Sequence, residues 1–303
     1  MKKWGEFMRE QISVALVQFA PHEFTAKEKN VSYMVDQIIA LGKQGIDLIV
    51  FPELSVSGFF RHEPGGKLAY WEKGAEDLDG ESSHRIITAA KEVGVYVVFG
   101  LAERLARPVE MYNTAVLVGP GGIVGAARKM HLPLYEKFYF TSGRLGTVLH
   151  TPLGQIGLAI CYDMYFPEAI RILAVNGAEI IIAISSMWKG GDKGGVGLIG
   201  SKERIFDITP VCRAMENQVY FLSCNGCGRH DMGPMLGVWE RLGNSKVVDP
   251  LGNILAVADC NRESVITAVL TREVLIKGRS AFGFLADRIP ELYSDLIYSQ
   301  VSK

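Results

Sequence analysis

No run of roughly 18 or more apolar residues occurs in this chain, so nothing in it reads as a membrane-spanning helix. Charge of either sign is equally short of surplus. Lys and Arg number 32 against 33 Asp and Glu, a formal net charge of −1, and no basic cluster stands out. Both absences argue against nucleic acid or an anionic membrane as partner. Cysteine is sparse and odd in number, with Cys161, Cys212, Cys224, Cys227 and Cys260 spread too widely for a disulfide framework. The opening Met1-Lys2-Lys3-Trp4-Gly5-Glu6-Phe7 lacks the apolar stretch of a secretory signal, so a reducing, cytoplasmic setting is expected.

No long Pro/Gly/Ser linker, low-complexity tract or short-period repeat divides the 303 residues, and a single domain over 1–303 is expected, with its core over about 12–271 and a packing or assembly tail over 272–303. Strand and helix patterns alternate throughout. Strands are expected over Ser13–Ala20, Asp47–Phe51, Val95–Ala102, Tyr112–Val118, Ile123–Lys129, 155–160, Ile180–Ser185, Val219–Ser223 and Val265–Leu270. Helices are expected over Ala26–Gly42, Ser82–Val93, 167–176 and 203–216, and hairpins at Gly119–Gly122 and Asp249–Asn253. Continuously apolar strands such as Ile180–Ser185 imply sheets covered on both faces, hence helices outside and two mixed sheets within.

Cys161 ends the apolar run 155–160 and opens Tyr162-Asp163-Met164-Tyr165-Phe166-Pro167 before a helix. A thiol at such a strand-to-helix turn sits at the mouth of a sheet, where nearby amide N–H groups favour negative charge; a packed core cysteine is the competing reading. A nucleophilic thiol needs a base or a cation. His131 and His150 are candidate partners, but a Cys-His protease is weakly supported, since only His230 lies downstream, in a turn-like context. Glu53, after the apolar strand and Pro52, and Lys129, at the end of another strand, are better placed. Each alone is more often a solvated flank. Cys224-Asn225-Gly226-Cys227 has no second CxxC and no histidine at metal-ligand spacing, so two small residues at a strand end are expected there, and no metal or cofactor. The Gly-rich segment 189–200 fits neither GxxxxGK[ST] nor GxGxxG and is expected to be a surface loop beside the site.

Phe51-Pro52-Glu53-Leu54, Arg128-Lys129-Met130-His131-Leu132-Pro133 and Cys161-Tyr162-Asp163 resemble the three signature blocks of the nitrilase, or carbon–nitrogen hydrolase, superfamily, and in that family's order. Supporting blocks extend the resemblance over about 12–293. It implies an α/β fold, a four-layer αββα sandwich with two mixed β-sheets. It also implies Glu53 as general base, Lys129 as the cation near the developing oxyanion, Cys161 as nucleophile and Glu136 as the second glutamate. Tyr162, Tyr165, Trp188 and Asn225 are the expected substrate-binding residues. By resemblance the chain is expected to form a homodimer or larger assembly. The implied activity is hydrolysis of a small amide or N-carbamoyl compound, with nitrile hydrolysis, acyl transfer through the same thioester, or a catalytically silent scaffold as rivals. Relatives that bind a substrate carboxylate resemble Cys-Asn-Asp-Arg-Arg or Cys-Tyr-Asp-x-Arg. Met164 and Tyr165 stand at those arginine places, so a neutral or amine-bearing substrate is expected.

Overall fold

The computed structural model describes residues 8–144, 146, 148–190, 198 and 200–294. Most of the Gly-rich 189–200 segment, and the end of the tail from 295, therefore lie outside the described residues. Among the described residues, fourteen strands and seven helices follow in the alternating order that the apolar patterning implies. One six-stranded sheet contains β1 (Gln11–Gln18), β2 (Leu48–Val50), β3 (Tyr96–Arg104), β4 (Met111–Gly119), β5 (Gly122–Arg128) and β14 (Ser264–Thr271), in the order β14-β1-β2-β3-β4-β5. The second contains β6 (Val148–Thr151), β7 (Gly154–Ile160), β8 (Ile180–Ser185), β9 (Tyr220–Asn225), β12 (Lys246–Val248) and β13 (Ile254–Val257), in the order β13-β12-β9-β8-β7-β6. Each sheet has a parallel centre and antiparallel flanks. A two-stranded ribbon, β10 (Arg229–Asp231) and β11 (Val238–Glu240), stands apart.

Side chains that alternate along a strand point to opposite faces, and this sorts the core into layers. Ile12, Val14 and Leu16 of β1 meet Ile156, Leu158 and Ile160 of β7 and Ile180, Ile182 and Ile184 of β8 in the space between the sheets. Ala15 and Val17 point outward, beneath α1 (Lys27–Lys43) and α3 (Glu81–Val93), through Val31, Met34, Ile38, Ile86 and Ala90. On the far side Ala159, Ile181 and Phe221 carry α5 (Pro167–Val175) and α6 (Ser201–Asn217), through Ile170, Leu173, Phe206 and Ala214. The layers are thus helix, sheet, sheet, helix. Burial of one such aliphatic side chain contributes about 1.5–3 kcal/mol, and strands apolar on both faces can be satisfied only in this arrangement.

Three shorter helices and several short strands escape the sequence patterning. These are α2 (Gly66–Lys73), α4 (Glu136–Tyr139) and α7 (Arg272–Ala281, capped by the Thr271 hydroxyl, which accepts from the Val274 N–H), together with β6, β10, β11 and β12. The four residues of α4 and the three or four of each of these strands offer too few positions for a period to show. Cys224 lies in the inter-sheet core and Cys227 is buried nearby; both are free thiols, and burial pushes the Cys227 pKa up to about 12. Among the described residues no helix is long and apolar enough to cross a membrane.

Candidate active site

Four chain segments meet at one end of the two sheets. After β2 the chain turns sharply through Phe51–Leu54, where Leu54 takes a φ of 50°. This turn lies directly against Gly100 of β3: a Cβ there would stand 2.1 Å from the Leu54 nitrogen, so only glycine lets the turn approach. The Glu53 N–H donates to the Ser185 carbonyl at the end of β8, 3.4 Å away, joining one sheet to the other. Lys129 follows the last residue of β5, and its N–H donates to the Asn113 carbonyl at 2.8 Å. Glu136 opens the single turn of α4. Cys161 follows β7 and begins a tight turn over Cys161–Tyr165 with a φ of 47°. A non-glycine residue in that left-handed region is uncommon and is held there by its surroundings.

Lys129 Nζ lies 2.7 Å from Glu53 Oε1 and 2.9 and 2.8 Å from the two carboxylate oxygens of Glu136. Glu53 also accepts from Asn113 Nδ2 at Oε1 and from the Ser186 N–H at Oε2, each at 2.7 Å. Every oxygen of this buried carboxylate is thereby satisfied, the condition under which a buried charge is tolerated. Two carboxylates share one ammonium. Their joint charge holds the Lys129 pKa well above the ordinary lysine value despite complete burial. Burial, helped by the Glu53 charge and opposed by Lys129, pushes Glu136 up to about 7. The Cys161 thiol is also pushed well above its usual value. Burial is the main cause and Glu53 the next, while Lys129 pulls in the other direction. Cys161 is therefore held as a neutral thiol.

Asp163 braces this arrangement. Its buried carboxylate accepts from the His131 N–H and from His131 Nδ1, each at 2.8 Å, from the Met130 N–H at 3.4 Å and from the Ile160 N–H at 3.3 Å. The turn after Lys129 is thus tied to the turn at Cys161, and the His131 ring stacks on Phe166 at 3.7 Å. Asp163→Ala is expected to lower kcat by up to about 100-fold with little change in KM, because an ångström of misplacement costs that much. Steady-state kinetics alongside a thermal melt check this, and full kcat in a folded Asp163→Ala protein would refute it.

Cys161 and Glu136 line a cavity of about 770 Å³, whereas Glu53 and Lys129 are buried behind it. Tyr162, Tyr165 and Trp188 also line it, with Phe59 and Phe60. Trp188 is held edge-on to Phe59 (5.2 Å) and Trp239 (5.8 Å), and the Arg241 guanidinium lies 4.5 Å over its ring. Asn225 is a correction to the sequence expectation, as it does not line the cavity. Its Oδ1 accepts from the Met187 N–H and its Nδ2 donates to the Gly243 carbonyl, both at 2.8 Å, so both amide atoms are committed to holding backbone in place. Arg171, expected on a helix face, stands outside this cavity near Arg288 and Tyr293.

Sequence patterning missed Asn113, Asp163, Ser186 and Arg241. The hairpin across Gly119–Gly122 carries a signal for the first, because its register sets Thr114 opposite Arg128 and so brings Asn113 to Lys129. Arg241 is fully buried, donates through Nε to Ser186 Oγ at 2.8 Å and has its pKa lowered to about 10 by burial. It fixes the residue whose N–H holds Glu53, a role visible only in three dimensions.

The sequence profile of the carbon–nitrogen hydrolase family matches residues 13–279. A nitrilase of Pyrococcus abyssi is 32% identical over 255 residues, covering 84% of this chain and 87% of that protein. An (R)-stereoselective amidase of a Pseudomonas species is 35% identical over 244 residues, covering 80% and 79%. The crystal structure of a carbon–nitrogen hydrolase from Helicobacter pylori superposes with a TM-score of 0.80 at 27% identity, over 95% of this chain and 98% of that one.

Proposed function

Because this chain belongs to the carbon–nitrogen hydrolase family, we propose that it cleaves the non-peptide C–N bond of a small amide or N-carbamoyl compound through a thioester on Cys161. The observation that supports this most strongly is the single ammonium of Lys129 held between Glu53 and Glu136, buried behind a thiol that faces a cavity.

In this scheme Glu53 takes the thiol proton as sulfur attacks the amide carbon, so the thiolate never has to exist free in a site that disfavours it. The carbonyl electrons move to oxygen, and the resulting anion is met by Lys129 and the Tyr162 N–H. A proton passed on by Glu53 or Glu136 converts the leaving nitrogen to ammonia or an amine as the C–N bond breaks. A water then gives a proton to Glu53 and attacks the thioester. The acid departs, and the sulfur recovers its proton. The hydrophobic and aromatic wall excludes bulk water and strengthens each electrostatic step.

The test is ammonia release across simple amides, N-carbamoyl amines, N-carbamoyl amino acids and nitriles, with mass spectrometry of the protein quenched during turnover. An acyl adduct on the peptide containing Cys161, with ammonia from amides or N-carbamoyl compounds, is the expected result. Turnover without any adduct at Cys161, or ammonia from nitriles alone, would overturn the proposal.

A further inference from the structure

Charge is unevenly distributed around the cavity. Its one described carboxylate, Glu136, is already held by Lys129. Of its cations, Arg213 is committed: Nε donates to the Met164 carbonyl at 2.8 Å and Nη1 to Glu216 at 2.6 Å. Lys137 is exposed. Lys202 is different. It is half-buried, lines the same cavity as Cys161 and, among the described residues, has no carboxylate within ion-pair distance.

Taking the amide-hydrolase reading as its basis, we propose that Lys202 is a specificity-determining residue that receives a carboxylate borne by the substrate away from its scissile carbon. Lys202 is the second residue of α6, and a cation in the first turn of a helix opposes the helix dipole. Its position therefore does nothing for the helix itself. Burial lowers its pKa; among the described residues the only opposing influence is that of a Cys161 thiolate, which is absent while the thiol is neutral, so at rest nothing there offsets the burial. A bound anion would relieve that burden. A substrate ammonium, by contrast, would meet a free cation and, among the described residues, no free carboxylate. Tyr165, on the same cavity wall, has a buried hydroxyl with no hydrogen-bond partner among the described residues, a neutral donor for a substrate oxygen. The expectation of a neutral or amine-bearing substrate, drawn from Met164 and Tyr165 in place of arginines, is thus revised: Lys202 of α6, further along the chain, supplies the cation instead.

Succinic, glutaric and adipic monoamides are compared with butyramide, valeramide and hexanamide, and with γ-aminobutyramide, in the unaltered protein, Lys202→Met and Lys202→Glu. The unaltered protein is expected to favour the anionic member in kcat/KM by on the order of 10- to 100-fold, the range of a charged hydrogen bond. That ratio should fall toward unity in Lys202→Met, through KM rather than kcat, and Lys202→Glu should turn the preference toward the amine. Because each comparison is a ratio within one protein, partial misfolding cancels. Calorimetric affinities on the Cys161→Ala background give the same ratios without turnover. Ratios unchanged by both substitutions, or a preference of the unaltered protein for the neutral or amine-bearing amide, would overturn the role of Lys202. Absence of ammonia from every amide would instead remove the hydrolase reading, and the calorimetric ratios would still decide Lys202.

Discussion

Cys161→Ala is expected to bring ammonia release down to the background rate, a loss on the order of a million-fold by the measure of other nucleophile deletions. No neighbouring group can replace it. Of the side chains that face the cavity, the carboxylate of Glu136 is engaged by Lys129 and the remainder are aromatic, aliphatic, hydroxyl or cationic. The fold should survive, since the substitution removes one sulfur at the rim of the inter-sheet core, where the side chain also faces the cavity. Backbone conformation gives a second, independent reading. With φ at 47°, Cys161 occupies a region that costs a residue bearing a Cβ about 1–2 kcal/mol. Cys161→Gly should therefore be as inactive as Cys161→Ala yet more stable than it by about 1 kcal/mol, as urea titration would show. Residual turnover within tenfold of the unaltered protein would mean that the sulfur is not the nucleophile.

Lys129→Met should abolish turnover nearly as completely and also change how stability depends on pH. Loss of an oxyanion donor alone costs about 100- to 1000-fold in rate. Removing the cation also leaves Glu53 and Glu136 buried together without compensation, a defect of about 3–5 kcal/mol. The direction with pH follows from Glu136, whose folded pKa of about 7 lies above the ordinary 4.5. A carboxyl raised on folding favours the folded state most below its unfolded pKa, and less as pH climbs through the folded one. Without the ammonium that pulls it down, Glu136 rises further; both proteins lose this contribution alike up to about pH 7, so the stability deficit of Lys129→Met should be small in acid and grow as pH climbs above about 7. Chemical denaturation at a series of pH values measures this. Adding Glu136→Gln removes the second carboxylate and should recover much of the stability without turnover. A deficit independent of pH would show that the two carboxylates do not feel Lys129 as the geometry implies.

Much of this arrangement is legible in the linear chain, and the reason is physical. The strands that deliver Glu53, Lys129 and Cys161 are continuously apolar and stop at a polar residue, so strand, end and turn can all be read locally. Ile180–Ser185 shows the same property and appears at the expected residues. Glu136 is harder, because it rides on a single helical turn with no periodicity. Asn113, Ser186 and Arg241 are harder still: what they do is set by which strand lies alongside and which side chain is stacked above, and neither is a property of neighbouring residues. Asn225 fails for the complementary reason. A strand end looks alike whether its side chain faces the cavity or the adjoining backbone. Lys202 falls just before the helix expected over 203–216, and only the placement of α6 beside the cavity shows what it faces.

The hydrogen bond from the Glu53 N–H to the Ser185 carbonyl spans two layers that otherwise touch mainly through aliphatic side chains. Glu53 is anchored in one layer and Cys161 in the other, so their separation is governed by how the layers slide against each other. An oversized residue at Val14 or Ile182, buried between the sheets, would shift that alignment without touching any polar group. Catalysis in such a protein should fail at a lower temperature than the one at which its helices melt.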